Sequence, residues 1–186
     1  MEMLWRIDGE AQEGKICSTM NNRITPCLWF NGNAEEAARF YVSVFGGESK
    51  VTDISSYAEA GKEFHEMEPG SVLMVAFELN GQTFSALNGK SKFPFTQAVS
   101  MQIECETQEE VDYYWDTLSE GGDPEAQQCG WLADKYGFLW QVTPTIMVKK
   151  FILSPDAAAR ERAFAAMMGM KKLDIAGLEK AFKGGE

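Results

Sequence analysis

Histidine is almost missing from this chain: 186 residues contain one, His65. A site built from two or three histidines of one chain is therefore excluded. Cations are also short, with 17 Lys+Arg against 28 Asp+Glu and a net charge of −11. Such a chain lacks the clustered positive charge that nucleic-acid phosphates or an anionic membrane surface require, so neither is expected as a partner. No run approaches the roughly 18 apolar residues of a membrane span. The four cysteines, Cys17, Cys27, Cys105 and Cys129, form no C-x-x-C pair, which removes a zinc ribbon or a thioredoxin-type motif. Residues 1–22 are polar, show no period and contain no apolar signal-peptide core; they are expected to be an N-terminal extension. Together these features predict a cytoplasmic protein with reduced thiols.

What is present is a pattern that occurs twice. Ile24–Phe30 is a short β-branched and aromatic run, followed by the turn Asn31-Gly32-Asn33. Ala34–Phe45 then places Ala34, Ala37, Ala38, Tyr41, Val44 and Phe45 on one helical face. Asn33 is expected to cap this helix, with Glu36 reaching back to it. The second copy begins with the strand-like Val99–Cys105. A capping box, Thr107 to Glu110, follows, and then a helical stripe of Val111, Tyr114, Trp115 and Leu118. Thr107 follows Asn33 by 74 residues. That spacing is too long for a solenoid unit and suggests two fused copies of one supersecondary module.

Strands are expected after each helix. In the first module they are Lys50–Tyr57, Val72–Asn80 and Gln82–Leu87, with Asn80-Gly81 as a two-residue hairpin turn. In the second they are a short strand near Gln127–Trp131 and another at Phe138–Thr143. The tail differs in character. Ser154-Pro155 is expected to open a helix over Asp156–Met170, with Phe164, Met167 and Met168 on one packing face. Asp174 caps a last helix, with Leu173 and Leu178 as its hydrophobic staple and Gly184 as its stop. These helices are expected to cover the sheet or a neighbouring subunit.

At the level of motifs, the chain resembles the PhnB-like group of the vicinal oxygen chelate superfamily, which contains the glyoxalase, bleomycin-resistance and extradiol dioxygenase proteins. The residues that carry the resemblance in the first half are Ile24-Thr-Pro-Cys-Leu-Trp-Phe-Asn-Gly-Asn-Ala-Glu-Glu-Ala37, Phe40-Tyr41 and Phe84-Ser-Ala-Leu-Asn-Gly89. In the second half they are Cys105–Trp115, Gln128-Cys-Gly-Trp131 and Asp134-Lys-Tyr-Gly-Phe-Leu-Trp-Gln-Val142, with Met170–Ala176 in the tail. The resemblance implies an α+β fold of paired βαβββ modules forming a cup-shaped mixed sheet, with C-terminal helices, commonly within a homodimer. The boundaries that follow are an extension at 1–22, a glyoxalase-like domain at 23–144 with modules at about 23–90 and 97–144, and a helical tail at 145–186.

Metal-using members hold a divalent ion that chelates neighbouring substrate oxygens. Carried over position by position, the first-strand histidine falls at Thr25 here, its counterpart in the second module near Ala98 or Ser100, and the last-strand glutamate at Gln141. None of these is a strong divalent-metal ligand, so no metal or other cofactor is expected. An oxygen-ligated site combining Glu78 with Gln141 is the variant left open. A methyltransferase label that such proteins often carry finds no Gly-rich strand-to-helix turn for S-adenosylmethionine or a nucleotide. Cys129 would have only His65 as a base, in a different segment, and is read as a structural thiol.

Strand alternation selects a candidate binding surface. Leu28 and Phe30 should pack on a helix, leaving Thr25, Cys27 and Trp29 for the cup. Met101 and Ile103 should pack likewise, leaving Ser100 and Gln102. Aligning the two hairpins puts Ser85 and Gln141 in the cup, with Leu87 and Thr143 nearby. This lining of aromatic and neutral hydrogen-bonding groups suits a small, weakly polar organic molecule. Two alternatives remain in view: a divalent-metal-dependent isomerase or lyase, and a non-catalytic protein-interaction scaffold.

Overall fold

A computed structural model describes residues 24–185; the expected N-terminal extension at 1–22 lies outside them. The first module runs β1 (Cys27–Phe30), α1 (Ala34–Phe45), β2 (Lys50–Ser56), a short helix α2 (Lys62–His65), β3 (Val72–Leu79) and β4 (Gln82–Asn88). Its strands form one sheet in the order β1-β4-β3-β2. β1 lies parallel to β4, with Cys27 opposite Ser85 and Trp29 opposite Leu87. β3 and β4 form the hairpin expected around Asn80-Gly81, where both residues adopt positive φ (46° and 85°), as a tight primed turn requires.

The second module repeats this plan with β5 (Met101–Cys105), α3 (Gln108–Ser119), β6 (Trp131–Ala133) and β7 (Leu139–Pro144). Its sheet order is β5-β7-β6, again with the first strand parallel to the last. The strand expected near Gln127–Trp131 is reduced to an isolated bridge between Gln128 and Trp131, and β6 begins at Trp131 itself. Cys129 (φ 52°) and Gly130 (φ 85°) break the extended backbone there, and a ladder cannot run through left-handed residues.

The inner faces of both sheets meet one shared core. Leu28, Phe30, Phe77 and Phe84 reach it from the first sheet, and Ile103, Trp140 and Val142 from the second. Both helices lie in this core. Ala34, Ala37 and Ala38 let α1 approach the sheet closely, and Tyr41 and Val44 complete its buried face. Tyr113 of α3 donates a 2.8 Å hydrogen bond to the Val44 carbonyl, and the Phe45 and Tyr114 rings pack 5.3 Å apart. With the helices inside, the opposite face of each sheet turns outward.

Two helix starts differ from the sequence expectation. Asn33 makes no side-chain cap bond. The first amide of α1, Ala34 N–H, instead donates to Asn88 Oδ1 at 2.9 Å, while Asn88 Nδ2 donates to the Val72 carbonyl. The cap therefore comes from β4, 54 residues away. Glu36, freed from a capping role, accepts from the Tyr136 hydroxyl of the second module at 2.9 Å. At Thr107 the cap itself forms, with Thr107 Oγ1 accepting from Glu110 N–H, while the Glu110 carboxylate reaches back one residue further than a capping box requires and accepts from Glu106 N–H. In the tail, Asp156 and not Ser154 caps α4 (Ala157–Met168), accepting from Ala159 N–H.

The tail folds back over the outer face of the second sheet. It consists of a π-helical turn (Met147–Ile152), α4 and α5 (Ile175–Lys183). Leu173 and Leu178 are fully buried with Phe151 and Ala163 in a small core of their own. Asp174 caps α5 and Gly184 ends it in a left-handed conformation. Arg162 of α4 donates to the last carbonyls of α5, at Ala181 and Phe182. The Phe164–Met168 stripe is not the buried face of α4; Ala159 and Ala163 are.

Candidate functional site

The outer face of the second sheet carries Gln102, Glu104, Trp131, Gln141 and Thr143, since Gln102 and Trp131 both pair with Gln141, and Glu104 pairs with Thr143. The tail roofs part of this face and leaves a cavity of about 590 Å³ beneath it. Trp131, Gln141 and Thr143 form its floor, and Cys129 lies at one side. Met147, Phe151, Ala163, Phe164 and Met167 form the roof, and Leu178 of α5 also lines it. Among the described residues, Arg160 and Glu161, one charge of each sign, are its only charged lining groups.

Close backbone contacts hold the roof. Cys129 N–H donates to the Met170 carbonyl at 2.9 Å and Gly130 N–H to the Lys171 carbonyl at 2.8 Å. A Cβ at Gly130 would lie 2.8 Å from the Val142 carbonyl oxygen and 2.9 Å from Leu173, so glycine is required where the tail crosses the sheet. Gln108 of α3 grips the tail backbone twice: its amide donates to the Leu173 carbonyl and accepts from Ile175 N–H. Lys172 bridges Asp112 and Asp116 at 3.0 Å each. Gln108 has no sequence signal as a clamp, because its partners are backbone atoms more than 60 residues away.

The candidate binding residues take their alternation-predicted sides but do not all meet. Thr25, Cys27 and Trp29 are exposed and Ser85 is half-buried on the first sheet's side of the molecule. Ser100 and Gln141 are joined directly, Gln141 Nε2 donating to Ser100 Oγ at 2.8 Å, and Gln102 is exposed beside them. Only Gln141 of the seven lines the cavity under the tail. The two outer faces lie on opposite sides of a shared core, so the candidate binding residues of the first module are not brought together with Ser100, Gln102 and Gln141. Trp29 lines a separate groove with Phe93, Phe95 and Tyr136, its indole lying over Gly89, where a Cβ would come within 2.6 Å of Nε1. Sequence reasoning missed the tail half of the cavity, since an apolar stripe reads the same whether it packs or lines a pocket.

The donor set does not fit the divalent metal of metal-using relatives. Ser100 and Gln141 satisfy each other as a neutral pair, and Thr25 is exposed on the other module. Glu78 pairs with Lys50 at 3.3 Å at the end of the β2–β3 ladder and is not brought to Gln141. Among the described residues no group of three or more His, Cys, Asp or Glu side chains is placed to hold a metal ion. His65 is engaged locally: its Nδ1 accepts from Met67 N–H at 3.0 Å and its ring packs 4.5 Å from that of Tyr57. Burial, and then the Glu110 charge, push the Cys105 thiol up to about 12. Cys129 Sγ contacts the Met167 carbonyl and Met168 Sδ, both in the tail.

Two modules, each with its first strand parallel to its last and a helix on the inner face, define a protein of the glyoxalase, or vicinal oxygen chelate, fold. Residues 22–143 match the family model described as 3-demethylubiquinone-9 3-methyltransferase, and the chain belongs to this PhnB-like family. It is 38% identical to a Bacillus cereus PhnB protein described by the same methyltransferase name, over 67% of this chain and 100% of that one, with a TM-score of 0.56. A Pseudomonas aeruginosa protein is similar in fold at 20% identity, covering 67% of this chain and 98% of its own, with a TM-score of 0.51. Among curated proteins nothing matches. The family match ends at residue 143, so the tail that roofs the cavity lies beyond it. Among the described residues no helix is long and apolar enough to cross a membrane.

Proposed function

We propose that this chain binds a small, weakly polar organic molecule in the cavity under its C-terminal tail, without a catalytic divalent metal. The observation that carries the reading is the cavity itself. Its volume of about 590 Å³ lies within the range of ligand pockets, and an apolar roof faces a few convergent neutral groups, Gln141 and Thr143. Shape and one or two hydrogen bonds would orient the ligand there. Methyl transfer, the activity in the family's description, is not part of this reading. The strand-to-helix turns at Asn31-Gly32-Asn33 and Glu106-Thr107 lack the Gly-rich loop that cradles an adenosine-bearing donor.

The same reading includes a homodimer and a cytoplasmic location. A second copy against the outer face of the first sheet would cover Trp29 and Met74, which are 42% and 39% exposed. It would also bring Thr25, Cys27 and Ser85 toward a neighbour. Free thiols at Cys27, Cys105 and Cys129 accord with a reducing compartment.

A thermal-shift screen of neutral aromatic compounds tests the cavity, with Met147→Trp as the variant that fills it. Stabilisation of the parent, lost in the variant, is expected. Equal shifts in both proteins, or none in the parent, overturn the reading.

A further inference from the structure

Polarity is distributed unevenly around the cavity, and its distribution says more than its volume. The neutral hydrogen-bonding groups are at the sheet end, where Gln141 is already tied to Ser100. The mouth is the reverse. Ile152 and Phe164, which line the cavity, are 54% and 60% exposed. Leu153 follows Ile152 in the chain and is 71% exposed, and Met168, 50% exposed, touches the cavity-lining Cys129. Ile152 and Phe164 thus carry the cavity's apolar wall out to solvent, and Met168 adjoins it through Cys129. Scattered exposed apolar residues are ordinary, but a cluster continuous with a pocket marks a binding surface.

We propose that the occupant is an uncharged amphiphile. Its compact polar head, a hydroxyl or an amide, sits against Gln141 and Thr143, and its hydrocarbon chain leaves the cavity along Ile152, Phe164 and Met168. This inference rests on the reading of the cavity as a ligand site and adds the class of ligand. A charged head is disfavoured because no opposite charge waits at the floor, and burying an unpaired carboxylate costs far more than a hydrogen bond returns. Arg160 and Glu161 belong to α4 and not to the sheet floor where the head sits, and Arg160 Nη1 already donates to the Ser154 carbonyl. A chain shorter than the cavity would leave the exposed rim without a partner.

Calorimetric titration of the full chain at pH 7.5 with three probes tests the proposal: 4-ethylphenol, 4-hexylphenol and 4-hexylbenzoate. Each methylene laid on the rim should tighten binding about two- to fourfold. The hexylphenol should therefore bind at least about tenfold more tightly than the ethylphenol, and the hexylbenzoate at least about tenfold more weakly than the hexylphenol. Phe164→Ser, at the exposed end of the roof, should shrink the affinity ratio between 4-hexylphenol and 4-ethylphenol. If ethylphenol binds and the longer chain adds nothing, or the benzoate equals the phenol, the amphiphile inference falls and the cavity reading stands. If neither phenol binds and no neutral compound stabilises the protein, both fall. If chain length adds nothing while Phe164→Ser converts an assembled protein to monomer in size-exclusion chromatography, the rim is a contact between copies and the inference is overturned.

Discussion

The Tyr41 hydroxyl donates a 2.7 Å hydrogen bond to Asp134 Oδ2, joining the helix of the first module to the hairpin of the second across a fully buried contact. Asp134 also accepts from Trp140 Nε1 at 2.8 Å and from the Tyr136 and Phe138 amides at 2.9 and 3.0 Å. Four donors converge on one carboxylate in the interior, and both modules depend on it.

Asp134→Asn should therefore destabilise the protein by about 2–4 kcal/mol, because in either orientation the amide NH2 confronts an N–H that can only donate, Trp140 Nε1 at one oxygen's place or the Tyr136 and Phe138 amides at the other's. Tyr41→Phe should cost less, about 1–2 kcal/mol, since three donors remain on the carboxylate. Urea denaturation of the two variants checks the order. A smaller loss for Asp134→Asn than for Tyr41→Phe would contradict it.

The pH dependence follows from the same group. Burial raises the Asp134 carboxyl above its usual value, and its hydrogen bonds only partly offset this. The folded state then binds a proton more readily than the unfolded one, so Asp134 adds stability as pH falls toward the ordinary carboxylate range and loses it as pH rises through the raised value. The deficit of Asp134→Asn relative to the parent should be larger near pH 4 than at pH 7. Denaturation curves at both pH values measure it, and an unchanged or smaller deficit in acid counts against the assignment.

Asn88 and Asn33 should behave oppositely to their places in the sequence. Asn88→Ala removes the cap of α1 and the bond to Val72, and should cost about 1–3 kcal/mol. Asn33→Ala, at the nominal cap, should cost less than about 0.5 kcal/mol. Equal losses would show that the cap does not come from β4.

Gly130→Ala should undock the tail. Its Cβ would strike Leu173 and the Val142 carbonyl at a positive φ, and the adjacent bonds to Met170 and Lys171 should weaken. Faster amide exchange over 145–185 is expected, together with loss of any probe bound in the cavity. Exchange confined to Cys129 and Gly130 would show that the tail has other sufficient anchors.

Elemental analysis of protein purified without metal-affinity steps should find no stoichiometric divalent ion, because Thr25, Ser100 and Gln141 present no ligand set. One Zn, Mn, Fe or Ni per chain would overturn this expectation.

Much of the architecture was legible in local pattern. The duplicated strand-helix unit followed from hydrophobic period and caps, and alternation placed Leu28, Phe30 and Ile103 in the core. The Asn80-Gly81 hairpin and the Asp174 cap followed from residue chemistry a few positions wide. The candidate site was legible only in part. Alternation told which side of a strand Trp29 or Gln141 occupies, but not what lies opposite that side.

The chain by itself determined the module, its repetition and the neutral residues at the expected ligand positions, because these depend on side-chain identity and short-range spacing. Tertiary structure alone decided that the helices lie between the sheets, that Asn88 caps a helix 54 residues away, and that the tail roofs the second sheet. Those outcomes depend on which faces meet, and the same apolar stripe can pack against a core, line a cavity or face a second copy without any change in its period. The scarcity of histidine thus has a located reading: Gln141, expected in place of the last-strand glutamate, hydrogen-bonds to Ser100, which with Ala98 was one of the two residues expected near the second module's ligand position.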